Sequence, residues 1–448
     1  MWWKLSNKVE GGWNMSKSTR LNRRAVLAAG AAGVAISMRA TAFAQQSDPL
    51  DGAALFADVT RYSNFGDHRT ASDPDHRTSE WLADELDRAG FNTKQSPWTC
   101  QQFHLRAHRL AVDGEEIVSF PLWWPAPTGA EPILAPLAPA EAASLANKIG
   151  FVALGPVRGA SVLPGDDVGL AVAAAARKRA RGLIIATRSP AGEVVALNAM
   201  SGLTPWPIPV LLVGGREESR LAHAAGAGAP VSLLLDGQLD YAAAAYEVIG
   251  HLERGPQRVV VSTPSSGWFR CAGERGPGVA LWLGLARWAA SRPSGPSLTF
   301  VASSGHELES LGIRHFVGHD APPPERVQSW LHLGAGIATW DYEFSAAGAR
   351  RLERASPARR LMTNEASYLP ILTSRFADLA GLTPTLSSQP GGEMVLMASE
   401  GYRVWGFAGG SAFHHMPGDL PERITGPELL QPVARAIAGA LSEIGGLP

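Results

Sequence analysis

Three short stretches gather side chains that bind metals and move protons. Phe300-Val301-Ala302-Ser303-Ser304-Gly305-His306-Glu307-Leu308 sets an imidazole beside a carboxylate after an apolar run. Gly273-Glu274-Arg275-Gly276-Pro277-Gly278 sets a carboxylate beside a guanidinium. Phe413-His414-His415-Met416-Pro417-Gly418-Asp419 pairs two imidazoles with a carboxylate shortly after them. Carboxylate oxygen and imidazole nitrogen are both zinc ligands, and His exchanges protons near neutral pH. Thr263-Pro264-Ser265-Ser266-Gly267-Trp268 offers a candidate serine nucleophile, with His306 as its partner. It lacks the G-x-S-x-G elbow, so a turn closing the strand end is the competing reading. Trp268 either stacks on a substrate or packs internally. Cys100 and Cys271 either pair or remain buried thiols, and two cysteines exclude a cysteine-rich metal centre.

The elements that must position these residues alternate in type. Residues 50–62 and 78–89 have apolar positions at helical spacing, with Gly90 as a stop. Phe91 to Phe103 reads as a strand region. Residues 120–145, rich in Pro and Ala, read as a linker or surface segment. From 148 onward, strands 149–154, 182–186, 208–213 and 231–235 alternate with helices at 171–181 and up to 221. Strands 259–262, 298–302 and 330–333 follow, with a helix from 278 to 290 between the first two. This alternation predicts a mainly parallel sheet covered on both sides by helices. Sites in such sheets gather at the carboxyl ends of strands, where the stretches above fall. His332, on a strand, reads as a satisfied core residue. His315 and His319 read as structural or solvated.

The chain has 448 residues, 45% of them hydrophobic and 18% charged, which excludes a disordered or coiled-coil protein. Forty basic and 41 acidic residues nearly cancel, so no global basic field invites nucleic acid. The first 44 residues hold seven of the basic residues and one acidic residue. Asn22-Arg23-Arg24-Ala25-Val26-Leu27, a short apolar run to Met38 and the exit Ala42-Phe43-Ala44 read as a twin-arginine signal peptide. Its removal leaves 33 basic against 40 acidic residues, a mildly acidic mature chain. The expected partner is the twin-arginine export machinery, and the expected location is periplasmic or extracellular. Translation starts at Met1 or at Met15. No later segment reads as a membrane span.

The order and spacing of these motifs resemble the family of zinc aminopeptidases, glutamate carboxypeptidases and glutaminyl cyclases. The succession runs from Glu247-Val248-Ile249-Gly250-His251-Leu252 through Val259-Val260-Val261-Ser262, Gly278-Val279-Ala280, the His306-Glu307 stretch and Gly312-Ile313-Arg314-His315-Phe316 to His415 and Asp419. The resemblance implies an α/β fold with a central mixed, mainly parallel sheet covered by helices. It implies an inserted protease-associated-like α/β domain at 116–240, between catalytic-type parts at 45–115 and 241–448.

The family's site holds two metals, and the resemblance carries over only half of it. One metal would be zinc on Glu274, Glu307 and His415. The other loses its ligands, because their positions align with Pro264 and Gly334. The general base aligns with His306. Arg275 stands where the family has Asn and could replace the metal's charge. Gly391-Gly392-Glu393-Met394 aligns with a pocket loop, so Glu393, Arg275 and Trp268 are the candidate substrate contacts. Asp67-His68-Arg69 and Asp75-His76-Arg77 align far from the site and read as surface and capping residues. The leading expectation is an exported one-metal hydrolase cleaving a peptide-like amide or related bond in a small or peptide-like substrate. The alternatives are a non-catalytic binding or scaffold protein and a cyclising acyltransferase of glutaminyl cyclase type.

Overall fold

The computed structural model describes residues 48–156, 161–346 and 348–448. The leader at 1–44 lies outside them. At the centre, strands Arg258–Pro264, Ser297–Ser303, Val327–Leu333 and Val404–Phe407 run parallel. The run Val259-Val260-Val261 is fully buried, as a strand covered on both faces requires. Antiparallel strands flank this core, Pro230–Leu252 on one side and Leu361–Thr363 on the other. The result is the mixed, mainly parallel sheet that the alternation predicts.

Two long strands carry the sheet outward. Asn92–Val112 pairs antiparallel with Pro230–Leu252 over nearly its whole length, from Asn92 opposite His251 to Val112 opposite Val231. Beyond them lies a second parallel set, Ile133–Pro139, Ile149–Pro156, Gly182–Arg188 and Val210–Gly214. Ile133–Pro139 pairs with the start of Pro230–Leu252, so 14 strands form one connected sheet. The linker reading of 120–145 is therefore corrected. Ser119–Pro121 and Ile133–Pro139 are strands, and Trp123 and Trp124 between them are buried. The Pro and Ala content misled because the large aromatics, not the average composition, decide burial here.

Helix Gly276–Ala290 is buried almost all round. It lies between the sheet and the outer helices Gly52–Ser63 and Pro427–Gly445. The outer helices carry the amphipathic patterns. Gly52–Ser63 opens on Asp51, whose carboxylate accepts from the amides of Ala53 and Ala54. Gly278 lets the inner helix approach closely, since a Cβ there would lie 2.7 Å from the Leu333 carbonyl. That approach brings residues 273–276 onto the carboxyl edge of the parallel strands. No helix among the described residues is long and apolar enough to cross a membrane.

Candidate active site

In register, Pro264 stands beside Ser303, and Leu333 beside Phe407. These four strand ends line one edge; Ser266, His306 and the His414–His415 pair follow three of them, and His332 lies on the fourth strand just before Leu333. Glu274 and His415 meet there. Nε2 of His415 lies 3.1 Å from Oε1 of Glu274, and Nε2 of His414 lies 4.0 Å from the same oxygen. One ligand atom from each of Glu274, His414 and His415 falls within 4.8 Å of the others. Zinc bonds of about 2.0–2.2 Å place tetrahedral donors roughly 3.3–3.6 Å apart. The two measured separations bracket that spacing.

His415 is held in place from two sides. Its backbone adopts φ 58°, the left-handed region, which costs a non-glycine residue about 1–2 kcal/mol. Two hydrogen bonds to Ala196 fix that conformation. The Ala196 amide donates to the His415 carbonyl at 2.9 Å. The ring nitrogen Nδ1 donates to the Ala196 carbonyl at 3.0 Å. That second bond leaves Nε2 facing Glu274, the arrangement of a metal-ligating His whose other nitrogen is tied to a carbonyl. Asp419 fixes the opposite wall. Its carboxylate accepts from the amides of Gly273 at 2.6 Å and Glu274 at 3.0 Å. Burial, and then the Glu274 charge, push Asp419 up to about 7.

Arg275 enters the same centre. Its Nη2 lies 2.7 Å from Oε1 of Glu274, and its Nε donates to the Ser266 carbonyl at 3.0 Å. Burial alone would raise Glu274, but Arg275, His415 and His414 together hold it well below the usual carboxylate range. Oε2 of Glu274 accepts from the Cys271 thiol at 3.9 Å. Burial pushes His414 down to about 3 against the pull of Glu274. Its imidazole is thus neutral and able to ligate.

Glu307 is placed differently from Glu274 and His415. Its Oε1 accepts from the Thr70 amide at 2.6 Å and the Thr70 hydroxyl at 2.7 Å. Its Oε2 accepts from the Ser266 hydroxyl at 2.7 Å. Three protein donors therefore satisfy this buried carboxylate. Among the described residues, the group able to hold a cation contains His414 where the resemblance has Glu307. The surface and capping reading of Asp67-His68-Arg69 and Asp75-His76-Arg77 is corrected at His68 and Asp75. Thr70 holds Glu307, and His68 and Asp75 are fully buried. Asp75 accepts from the Ser304 hydroxyl at 2.7 Å, which ties this turn to the strand end beside His306. Ser266 also receives the amides of Gly305 and His306. Its hydroxyl is spent on structure rather than aligned on His306 as a nucleophile.

His306 forms a dyad with Glu393. Nδ1 of His306 lies 2.8 Å from Oε1 of Glu393. Glu393 is 2% exposed, and its other oxygen lies 3.8 Å from Nε2 of His332. His332 in turn bonds the Ser262 hydroxyl at 2.9 Å. Burial would raise Glu393, yet His306, His332 and Arg275 hold it below its ordinary value. A carboxylate on Nδ1 fixes the tautomer and turns Nε2 outward. The His306 side chain is 21% exposed, so that nitrogen can meet a substrate. Trp268 has no such freedom. It is 1% exposed, donates to Asn198, and packs edge-on against Phe120 and Trp123. Both cysteines are free and buried.

The fold defined by these layers is that of the zinc aminopeptidases. A zinc aminopeptidase from Bacillus subtilis superposes with a TM-score of 0.66 at 18% identity, over 89% of this chain and 96% of that one. A peptidase M28 precursor from Shewanella amazonensis gives 0.65 at 18% identity, over 88% and 93%. An aminopeptidase from Aneurinibacillus sp. strain AM-1 gives 0.59 at 14%, over 88% and 94%. No protein-family model matches the sequence, and no curated protein does.

Proposed function

We propose that this chain is an exported hydrolase that uses one zinc ion to cleave a peptide-like amide or a related bond. The observation that carries the reading is the convergence of Glu274, His414 and His415 within 4.8 Å at the strand edge. These three residues would hold the metal, replacing the Glu274, Glu307 and His415 set that the motifs suggest. Bound there, zinc would polarise the scissile carbonyl and acidify a water. The chain supplies the rest. His306 takes the water's proton on Nε2 and returns it to the leaving nitrogen, while Glu393 holds the Nδ1 proton in place. In the net reaction, water adds across the C–N bond. The twin-arginine leader supports export to the periplasm or beyond, and segment 116–240 is read as a protease-associated-like insert. That segment supplies the Ala196 carbonyl behind His415.

Arg275 favours a second reading. A buried guanidinium 2.7 Å from the ligand carboxylate supplies a positive charge without a metal. In that case the chain is a metal-free binding or scaffold protein on a peptidase fold. Hydrolysis of aminoacyl p-nitroanilides separates the two. The hydrolase reading expects turnover that a chelator abolishes and added zinc restores. It also expects His306→Ala to lower kcat by about 10²–10⁴-fold. No turnover across a panel of such substrates, with or without added zinc, supports the second reading, and turnover indifferent to chelator contradicts both.

A further inference from the structure

His315 and His319 stand four residues apart on helix Leu311–His319, so their side chains share one face. The two imidazoles stack, with ring centroids 4.4 Å apart and planes 24° from parallel. Trp98 stacks on His315 as well, at 6.4 Å. Each ring is tied through Nδ1. Nδ1 of His319 donates to the His315 carbonyl at 2.9 Å, which leaves its lone pair on Nε2. Nδ1 of His315 lies 3.1 Å from Oε2 of Glu247. Glu247 is fully buried and comes from strand Pro230–Leu252, where it stands opposite Ser303.

A carboxylate or a carbonyl on Nδ1 is the arrangement that orients metal-ligating histidines and raises their basicity. Here both neighbours on one helix face have it. The His315 side chain is 26% exposed and His319 is exposed, so a hydrated ion can reach both rings. Glu247 adds a second reason for a cation at this place. Among the described residues no Lys or Arg pairs with it, and its ion-pair partner is His315. Burial pushes its carboxyl up to about 9, and a cation on His315 would act against that burial by favouring the carboxylate. The nearby Asp320 is already spent. Its oxygens take Lys94 at 2.5 Å and the Ser96 hydroxyl at 2.8 Å.

We infer that His315 and His319 form a copper(II) site, separate from the Glu274–His415 centre. The ion would bind the two Nε2 atoms, with water in its remaining positions. Two imidazoles fall short of the three or four protein ligands of zinc sites. Copper(II) stands highest in the divalent affinity order and accepts tetragonal sets of nitrogen and oxygen donors. The inference does not depend on the hydrolase reading, because none of Glu274, His414 and His415 takes part.

Titration of the full mature chain, loaded with zinc, with copper(II) sulfate tests it by electron paramagnetic resonance. One equivalent of tetragonal copper is expected, with splitting from two nitrogens. His319→Ala, at the exposed end of the helix, should weaken binding at least tenfold and remove one nitrogen from the spectrum. Glu247→Gln should weaken binding by about 10–100-fold, as loss of an orienting partner does. His415→Ala should leave the signal unchanged. No bound copper, copper bound equally by wild type and His319→Ala, or a signal lost in His415→Ala but kept in His319→Ala would each overturn the inference. The last result would place the ion at the strand-edge centre.

Discussion

Arg275 and Glu274 form a 2.7 Å ion pair in which both side chains are 1% exposed. A charge buried this deeply cannot turn to water if its partner leaves. Arg275→Met removes the cation and leaves the Glu274 carboxylate facing two imidazoles. Breaking one side of a buried pair costs about 3–5 kcal/mol, and denaturant titration in metal-free buffer should show that loss. Added zinc should then stabilise the variant, by about 2.7 kcal/mol at a hundredfold excess over Kd. A variant that zinc does not stabilise would argue against Glu274 as a ligand.

Glu307 and Glu274 should respond in opposite ways. Glu307→Ala strands the Thr70 amide and removes three hydrogen bonds. A loss of roughly 2–4 kcal/mol in denaturant stability is expected, with metal content unchanged. Glu274→Ala should lose the metal. Loss of metal in the Glu307 variant would restore the ligand set suggested by the motifs.

The dyad makes a kinetic prediction. In Glu393→Gln the amide nitrogen can donate to Nδ1 of His306 and impose the wrong tautomer. kcat should fall by roughly 10²–10⁴-fold with KM little changed. Glu393→Asp keeps the charge and should recover part of the loss. An equal effect of both substitutions on KM would assign Glu393 to substrate binding instead.

Asp75 sets a pH dependence. Burial, opposed by the Ser304 and Ala71 hydrogen bonds, pushes its carboxyl up to about 8 from 3.8. The folded state therefore holds a proton that the unfolded state has released. That contribution is complete below pH 4 and is lost as pH rises toward 8. His68 and His332, which burial pushes down to about 3 and about 4, act oppositely below pH 6.5. The difference between wild type and Asp75→Asn isolates the carboxyl. The variant should lose less stability between pH 4 and pH 8, and parallel profiles would contradict the assignment.

Cys100 and Cys271 should be silent to thiol reagents in the native state and both reactive on unfolding. Burial pushes Cys100 up to about 12 and Cys271 well above its ordinary value, and the thiolate is the reacting form. Rapid native labelling would contradict the burial of either.

Much of the sheet is legible in the sequence because apolar, β-branched runs such as 259–261 and 298–302 have no other stable use. The positions of Glu274, His306 and His415 are legible for a related reason, since they follow strand ends. Their partners are not. Thr70 meets Glu307 across 237 residues, and His415 meets the Ala196 carbonyl across 219. Neither contact leaves a periodicity, and both run through a backbone group, which carries no residue signature. The surface and capping reading failed at His68 and Asp75 for that reason, while Arg77 is exposed and Asp75 stands in the first turn of its helix. A short polar turn looks alike whether it caps a helix in water or clamps a buried carboxylate.

Glu274, His414 and His415 are proposed to hold one metal, with the His306–Glu393 dyad as its proton carrier. Elemental analysis of the purified mature protein tests it most directly. Close to one equivalent of zinc is expected, retained in Glu307→Ala and lost in His414→Ala and in His415→Ala. Protein free of zinc after expression in zinc-replete medium, and still free after incubation with excess zinc, would contradict it. That result would leave Arg275 as the cation of the site.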